Sequence, residues 1–246
     1  MRYLIGLLAV LMVQCPVAQA APDDVRAPWE ILQADIERTY EALDARAAGR
    51  FAVAVDLAGD DNFSLTADAA AGRLHLLYRM NFNQIAEGWS WQPQANPAEA
   101  DYYRYKFLPL GSRERQQGAA YVQEDFPGRP REVKRIWHYD YFLAFDNPYD
   151  FFARPTIEDD AGFAADVALA EPQLRALQQP GRVGMLAWAH WAEPKQAEST
   201  TFWKATDGKP VDLTLKNRYL IGKLDEIWFV DTIDGQVLAK LAPAGR

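Results

Sequence analysis

The sequence predicts a mostly β, α+β protein: a strongly curved antiparallel sheet, an incomplete β-barrel or a sandwich, packed by an N-terminal amphipathic helix. Two observations lead to this fold class. After Arg50, most of the chain consists of short runs in which apolar and polar residues alternate, separated by Gly, Asp, Asn and Pro. Most connections between these runs are as short as hairpin loops, so neighbouring strands are expected to be antiparallel.

The first 20 residues have the layout of a secretory signal peptide. Arg2 is followed by an apolar run from Leu4 to Val13, and small residues precede a cleavage point between Ala20 and Ala21. The apolar run is too short for a permanent membrane helix. We therefore expect export to the periplasm or the exterior, and not an integral membrane protein.

Cys15 is the only cysteine of the chain and lies inside this segment. Lipidation there would anchor the protein, but Gln14 stands where lipoprotein signals have a small residue, which argues against an anchor. After cleavage no disulfide or thiolate metal site could form. Stability would then have to come from a hydrophobic core.

Residues 21–27, rich in Pro and Asp, predict a flexible lead-in, and residues 28–246 predict a single β-rich domain. One helix should open it, over about residues 29–48, because apolar residues recur every three or four positions. This stripe comprises Trp29, Leu32, Ile36, Tyr40 and Leu43. A helix with one apolar face needs a sheet to bury it.

Two meanders of three strands should follow, the first over residues 51–57, 63–67 and 73–80 and the second over 101–110, 119–126 and 131–146. The last strand is the longest aromatic-rich run. At period two, one face carries Trp137, Tyr139, Tyr141, Leu143 and Phe145, and the other carries Lys134, Ile136, His138, Asp140, Phe142 and Asp146. The second face, neither purely apolar nor purely charged, suits the wall of a cleft, although an ordinary surface could carry it too.

A second helical insertion is predicted near residues 157–179, where Phe163, Val167, Leu174 and Leu177 form an apolar stripe. Strands are then expected over 182–191, 200–205, 211–221, 223–231 and 236–241. Asp207-Gly208 is a hairpin signal between two of them.

The acidic balance of the chain excludes some partners. It has 26 Lys and Arg against 34 Asp and Glu, a net charge of −8, and cleavage would remove Arg2 and make it about −9. Nucleic acid and anionic membrane surfaces bind clustered cations. Neither is therefore expected as a partner.

The sequence contains none of the common nucleotide, phosphate-loop or hydrolase signatures. His138 and Asp140, two apart on a strand, point the same way, so the carboxylate could orient the imidazole as a general base. The same spacing also describes an ordinary surface pair. If the two strands were neighbours, His190 could join them, but two distant histidines are weak grounds for a metal, and no metal or cofactor is predicted.

The aromatic content, 12 Phe, 11 Tyr and 8 Trp, would suit either a packed core or an aromatic-lined binding surface. The candidate ligand-binding residues are Trp89, Trp91, Tyr102, Arg104, Lys106, His138, Asp140, Trp188 and His190. Two hypotheses follow from them. The first is a non-catalytic binding or carrier protein for a hydrophobic or amphipathic ligand (a lipid, a glycan or a peptide) or for a partner protein of the cell envelope. The alternative is a hydrolase that uses His138 and Asp140 with His190.

Overall fold

A computed structural model describes residues 36–41, 49–55, 57–80, 105–124, 130–152 and 162–243, without the side chains of residues 38 and 39. Strands make up most of the described chain. The elements are α1 (Ile36–Glu41), β1 (Arg50–Val55), β2 (Phe63–Asp68), β3 (Arg73–Arg79), β4 (Lys106–Gln116), β5 (Tyr121–Gln123), β6 (Arg131–Phe145), a 3-10 turn (Pro148–Asp150), β7 (Gly162–Ala168), α2 (Glu171–Leu177), β8 (Val183–Trp203), β9 (Val211–Asp231) and β10 (Val237–Leu241).

The strands form two sheets. Seven belong to one sheet with the order β1-β8-β9-β6-β4, in which β10 also pairs with β9 and β5 with β6; β2, β3 and β7 form the other. The prediction of an antiparallel sheet needs a correction here, because β6 and β9 run parallel. The chain between them runs through β7, α2 and β8, which is the long crossover that a parallel pair requires.

The larger sheet is curved but does not close into a barrel. Three strands separate β1 from β4, so in a flat sheet the two would lie about 19 Å apart, at roughly 4.8 Å per step. Cα atoms of β1 and β4 nevertheless come within 8 Å of one another. No hydrogen-bonded pairing joins these two strands.

The main core lies between the inner face of the larger sheet and the three-stranded sheet. We define the inner face as the one that carries Tyr141 and Phe145 of β6 and Phe229 of β9, all of which are buried in this core. Phe163 of β7 packs against Phe145, with ring centroids 6.4 Å apart. The alternation predicted for β6 is confirmed, since its aromatic face is the inner one.

Strands β8 and β9 are each 21 residues long, where the sequence suggested two shorter strands in each stretch. The register between them shifts twice, after Trp188 and again between Trp191 and Gln196. Pro194 lies in the second shift, where a residue without an N–H group interrupts no ladder bond. The irregular segment therefore lies within one continuous strand.

The predicted N-terminal helix falls largely outside the described residues. Ile36–Glu41 is helical, and its Ile36 and Tyr40 are buried in the main core. The rest of the predicted stripe, Trp29, Leu32 and Leu43, lies in the part of the chain that the structure does not describe.

The helical insertion predicted near 157–179 is wrong in its first half. Residues Gly162–Ala168 form β7, which pairs with β3, and the helix covers only Glu171–Leu177. Phe163 and Val167 are four residues apart, and this spacing puts two side chains on one face in a helix and in a strand alike. Local periodicity could not separate the two structures, and pairing with β3 decided between them.

Candidate ligand-binding surface

Away from the three-stranded sheet, the inner face continues as rows of aromatic and cationic side chains. Tyr139 of β6 lies opposite Arg113 of β4 and Lys216 of β9. In the next row, Trp137 lies opposite Arg115 and Thr214. Residues directly opposite one another in a sheet share a face. The full set, which we call the inner surface, is Arg113, Arg115, Trp137, Tyr139, Glu198, Thr200, Phe202, Thr214, Lys216 and Arg218.

The cations of β9 lie over the rings of β6. Lys216 Nζ is 4.9 Å from the centroid of the Trp137 ring, and Arg218 Cζ is 4.5 Å from that of Tyr139. Both distances fall within the range of cation–π attraction. Tyr139 is buried, whereas Trp137 is partly exposed, so it is the Trp137 end of this column that combines positive charge with accessible apolar area, as an amphipathic ligand needs.

One carboxylate on β8 holds both cations in place. Glu198 accepts hydrogen bonds from Lys216 Nζ and Arg218 Nε, each at 2.9 Å. Burial of Glu198 acts to raise the pKa of its carboxyl, but the bonds and charges of Lys216 and Arg218 outweigh burial, and the pKa lies below its usual value. Glu198 is therefore ionised at neutral pH.

Helix α1 lies across this surface and contributes the remaining partners of its cations. The Tyr40 hydroxyl donates to the backbone oxygen of Ala197 at 2.9 Å. Arg115 donates to Glu37 Oε1 at 2.5 Å, and Arg218 Nη1 lies 3.4 Å from Glu41 Oε1. The two acids are one helical turn apart, so both reach the sheet from one side of α1. Helix α1 thus places the carboxylates of Glu37 and Glu41 and the ring of Tyr40 against the inner surface.

The hydroxyl groups of Tyr40 in α1 and of Tyr141 beneath it remain protonated at neutral pH. Burial, followed by the negative charge of Glu198, raises the pKa of Tyr40 to about 12. Burial also raises the pKa of Tyr141, although the hydrogen bond from Arg218 Nη1 to its hydroxyl oxygen, 3.1 Å long, acts in the opposite direction. Neither phenol serves as a base at neutral pH.

Several predicted binding residues cannot be placed on this surface. Trp89, Trp91, Tyr102 and Arg104 lie outside the described residues. Lys106 is on the inner face but 3% exposed, opposite Phe145 at the other end of β6. It therefore lies in the core and not beside His138, as the sequence had suggested.

His138 and Asp140 do point the same way, but onto the outer face of the sheet. The imidazole Nε2 is 3.0 Å from Asp140 Oδ1, and Nδ1 is 3.7 Å from Glu114 Oε2. The Ser112 hydroxyl donates to the same Asp140 oxygen at 2.5 Å. A base-activated nucleophile requires direct contact between hydroxyl and imidazole. Here the carboxylate lies between them, so the cluster orients an imidazole but does not activate Ser112.

His190 does not join this cluster. It lies opposite Lys223 of β9, whereas His138 lies opposite Leu215, and eight residues of extended strand span about 26 Å. The partner of His190 is instead Asp225, with Nδ1 and Oδ2 2.6 Å apart. Strand β9 also separates the two histidine-bearing strands, so the set proposed for a hydrolase is not assembled.

Trp188 belongs to a second aromatic group, which lies on the outer face and which we call the outer cluster (Arg50, Trp188, Glu226, Trp228 and Lys240). The two indole rings are 5.1 Å apart, with Arg50 4.7 Å above one and Lys240 4.1 Å above the other. Trp228 Nε1 donates to Glu226 Oε2 at 2.6 Å. All of these contacts are made within the sheet itself, although the buried Nε1 of Trp188 has no hydrogen-bond partner.

Sequence reasoning missed the cations of the inner surface. The predicted strands over 101–110 and 119–126 leave Arg113 and Arg115 in the connection between them, but β4 runs to Gln116 and pairs with β6 throughout this stretch. Lys216 and Arg218 alternate within a strand, and that period-two spacing was the available signal. Nothing local indicated that their face would meet the aromatic face of β6.

Among the described residues, no group of three or more His, Cys, Asp and Glu side chains could hold a metal ion. The helices in the same ranges lack the length and hydropathy of a membrane-spanning segment. Comparison of the chain with protein-family models, curated proteins and solved structures found no match. The inner surface is therefore interpreted from its own geometry.

Proposed function

We propose that this chain is an exported, non-catalytic binding or carrier protein that takes an amphipathic ligand on its inner surface. The observation that carries the proposal is the row structure of that surface, in which Trp137 and Tyr139 lie beside Arg113, Arg115 and Lys216. Rings supply apolar area and flat faces for contact, and cations at their edges fix the orientation of a polar group.

The exposure of the surface supports this proposal. Phe202, in the same row as Trp137 and Thr214, is 58% exposed. An exposed ring in the same row as another aromatic side chain adds to one apolar patch, and exposed apolar patches mark interaction sites. The end near Trp137 therefore offers contact area, whereas the end near Phe145 is fully buried.

The arrangement on the outer face supports binding rather than catalysis. Asp140 separates Ser112 from His138, and His190 lies on β8, which β9 separates from β6. A substitution of His138 should therefore leave ligand binding intact. In the hydrolase alternative the same substitution would abolish turnover.

The test is native mass spectrometry of the full chain, purified from the periplasm after export, on three variants. We expect a co-purified amphiphile in the unmodified protein and in His138→Ala, and its loss in Trp137→Ala. Trp203→Ala is the matched control, because Trp203 lies at the end of the same sheet, on the outer face opposite Leu213, and is 45% exposed. A ligand that survives in Trp137→Ala, or a protein that carries no ligand and binds no added amphiphile, would contradict the proposal.

A further inference from the structure

The inner surface has an excess of positive charge that the sheet does not balance itself. Four cations occupy its rows, Arg113, Arg115, Lys216 and Arg218, and Glu198 is the one acid that the described strands place among them. The whole chain has a net charge of −8. A local surplus of cations on an acidic protein points to a site for an anion.

The contacts of helix α1 indicate the chemical character of that anion. It lays the Glu37 carboxylate on Arg115, the Glu41 carboxylate near Arg218, and the apolar part of Tyr40 on Tyr141, with ring centroids 6.0 Å apart. The helix is thus an acidic amphipathic segment that occupies the surface from within the chain. A ligand that competes for the same positions must combine a negative group with an apolar body.

The positions of the cations indicate which end of the inner surface would bind the negatively charged group of a ligand. The Arg115 side chain is 54% exposed and the Lys216 side chain 19% exposed, whereas Arg218 lies deeper at 13% and is held by Glu198 and Tyr141. Arg113 stands one row further in than Arg115 on β4, is exposed, and donates from Nη1 to the backbone oxygen of Ser112. Arg113 and Arg115 are therefore two accessible guanidinium groups, two residues apart on one face.

We infer that the ligand is an anionic amphiphile whose headgroup binds Arg115 and Arg113 in place of the Glu37 carboxylate, with its apolar part along Trp137 and the exposed Phe202 of the same row. This inference rests on the proposed function, because it names the ligand class for the same surface. Guanidinium groups suit phosphate and carboxylate oxygens, which accept two parallel hydrogen bonds. The Glu37 carboxylate acts as an internal competitor that the headgroup displaces.

The probe for this inference is dodecyl phosphate below its micellar concentration, titrated into the full chain by calorimetry. Dodecyl maltoside, with the same chain and a neutral headgroup, and inorganic phosphate, with no chain, separate the two parts of recognition. We expect binding of dodecyl phosphate at least tenfold tighter than that of either comparison compound. Loss of a charged hydrogen bond in Arg115→Gln should weaken it by about tenfold or more.

Two further variants make the result specific to Arg115 and its competitor. Glu37→Gln removes the competing charge and should tighten binding severalfold, an effect that a merely structural role of Glu37 would not produce. Lys216→Gln should weaken binding even if Arg115→Gln fails to fold. Lys240→Gln is its matched control, because Lys240 also lies over a tryptophan but on the outer face.

The outcomes separate the two proposals. Equal binding of dodecyl phosphate and dodecyl maltoside, unchanged by Arg115→Gln and Glu37→Gln, would overturn the anionic ligand and leave the amphipathic one standing. Tight binding of inorganic phosphate alone would also overturn it, in favour of a free anion. If no amphiphile binds, the proposed function fails together with this inference.

Discussion

The inner surface and the outer cluster consist of the same kinds of side chain on opposite faces of one sheet. In both, an arginine and a lysine lie over aromatic rings and glutamate carboxylates hold polar partners. On the outer face every such partner belongs to the strands themselves. On the inner face part of the negative charge comes from α1, a separate segment laid over the sheet.

This difference shows that the same types of side chain can be paired within one sheet or can take part of their partners from a separate segment. Trp188 and Trp228 contact each other, Arg50 and Lys240, so the ring and cation contacts of the outer cluster are all made within the sheet. On the inner surface, Arg115 is paired with Glu37 of α1, and Arg218 has Glu41 of α1 as a second acid besides Glu198.

The largest expected effects are on folding stability, when Trp228 of the outer cluster and Trp137 of the inner surface are each replaced by alanine. Trp228→Ala should lower the free energy of unfolding by about 3 kcal/mol, because the ring packs over buried Leu186 and Val230. Trp137→Ala should cost about 1–2 kcal/mol, because Arg115 and Phe202 in its row are largely exposed side chains and add little packing to the ring. Urea denaturation of both variants measures the difference, and equal losses would remove the distinction between the two groups.

The two arginines should differ in the same way. Arg218→Gln breaks bonds to Glu198 and Tyr141 at a side chain that is 13% exposed, and should cost about 2–3 kcal/mol of unfolding free energy. Arg50→Gln breaks ion pairs at a side chain that is 36% exposed, and should cost less than about 1 kcal/mol. Thermal unfolding of the two variants compares them. A larger loss for Arg50→Gln would show that the outer cluster, and not the inner surface, depends on its arginine.

The smallest effect concerns pH. Because the folded state lowers the pKa of Glu198, its ionised carboxylate stabilises the fold above the ordinary glutamate pKa, and this contribution is lost as the pH falls through the lowered folded-state value. Glu198→Gln should therefore cost about 1–2 kcal/mol at pH 7 and almost nothing at strongly acidic pH. Denaturant midpoints of both proteins between pH 7 and pH 3 test this, and a constant difference over that range would contradict it.

Much of the strand content was predictable from local pattern. The faces of β6 were assigned correctly because period-two alternation is a property of the strand itself. In β3, Leu74, Leu76 and Tyr78 are buried on one face, as the same alternation requires. Such assignments do not depend on the neighbouring strands, because side chains alternate between the two faces of any strand.

The pairing of strands was not predictable in the same way. Strand β1 was expected in a meander with β2 and β3, but it pairs with β8 in the other sheet. Pairing between strands that are distant in sequence depends on which apolar faces meet. The local pattern of a single sequence does not specify this. The inner surface could not be predicted for the same reason, because Lys216 meets Trp137 only through the parallel pairing of β6 with β9.

The sequence by itself determined that this chain alternates rings and polar groups along extended segments, and it placed Trp137 and Tyr139 on one face of β6. Only the tertiary structure decided that Arg113, Arg115 and Lys216 stand beside those rings while His138 and Asp140 face the other way. The physical reason is that side-chain alternation is a local consequence of backbone geometry. The neighbour of each face is set by long-range hydrogen bonding and by burial, which involve the whole chain at once.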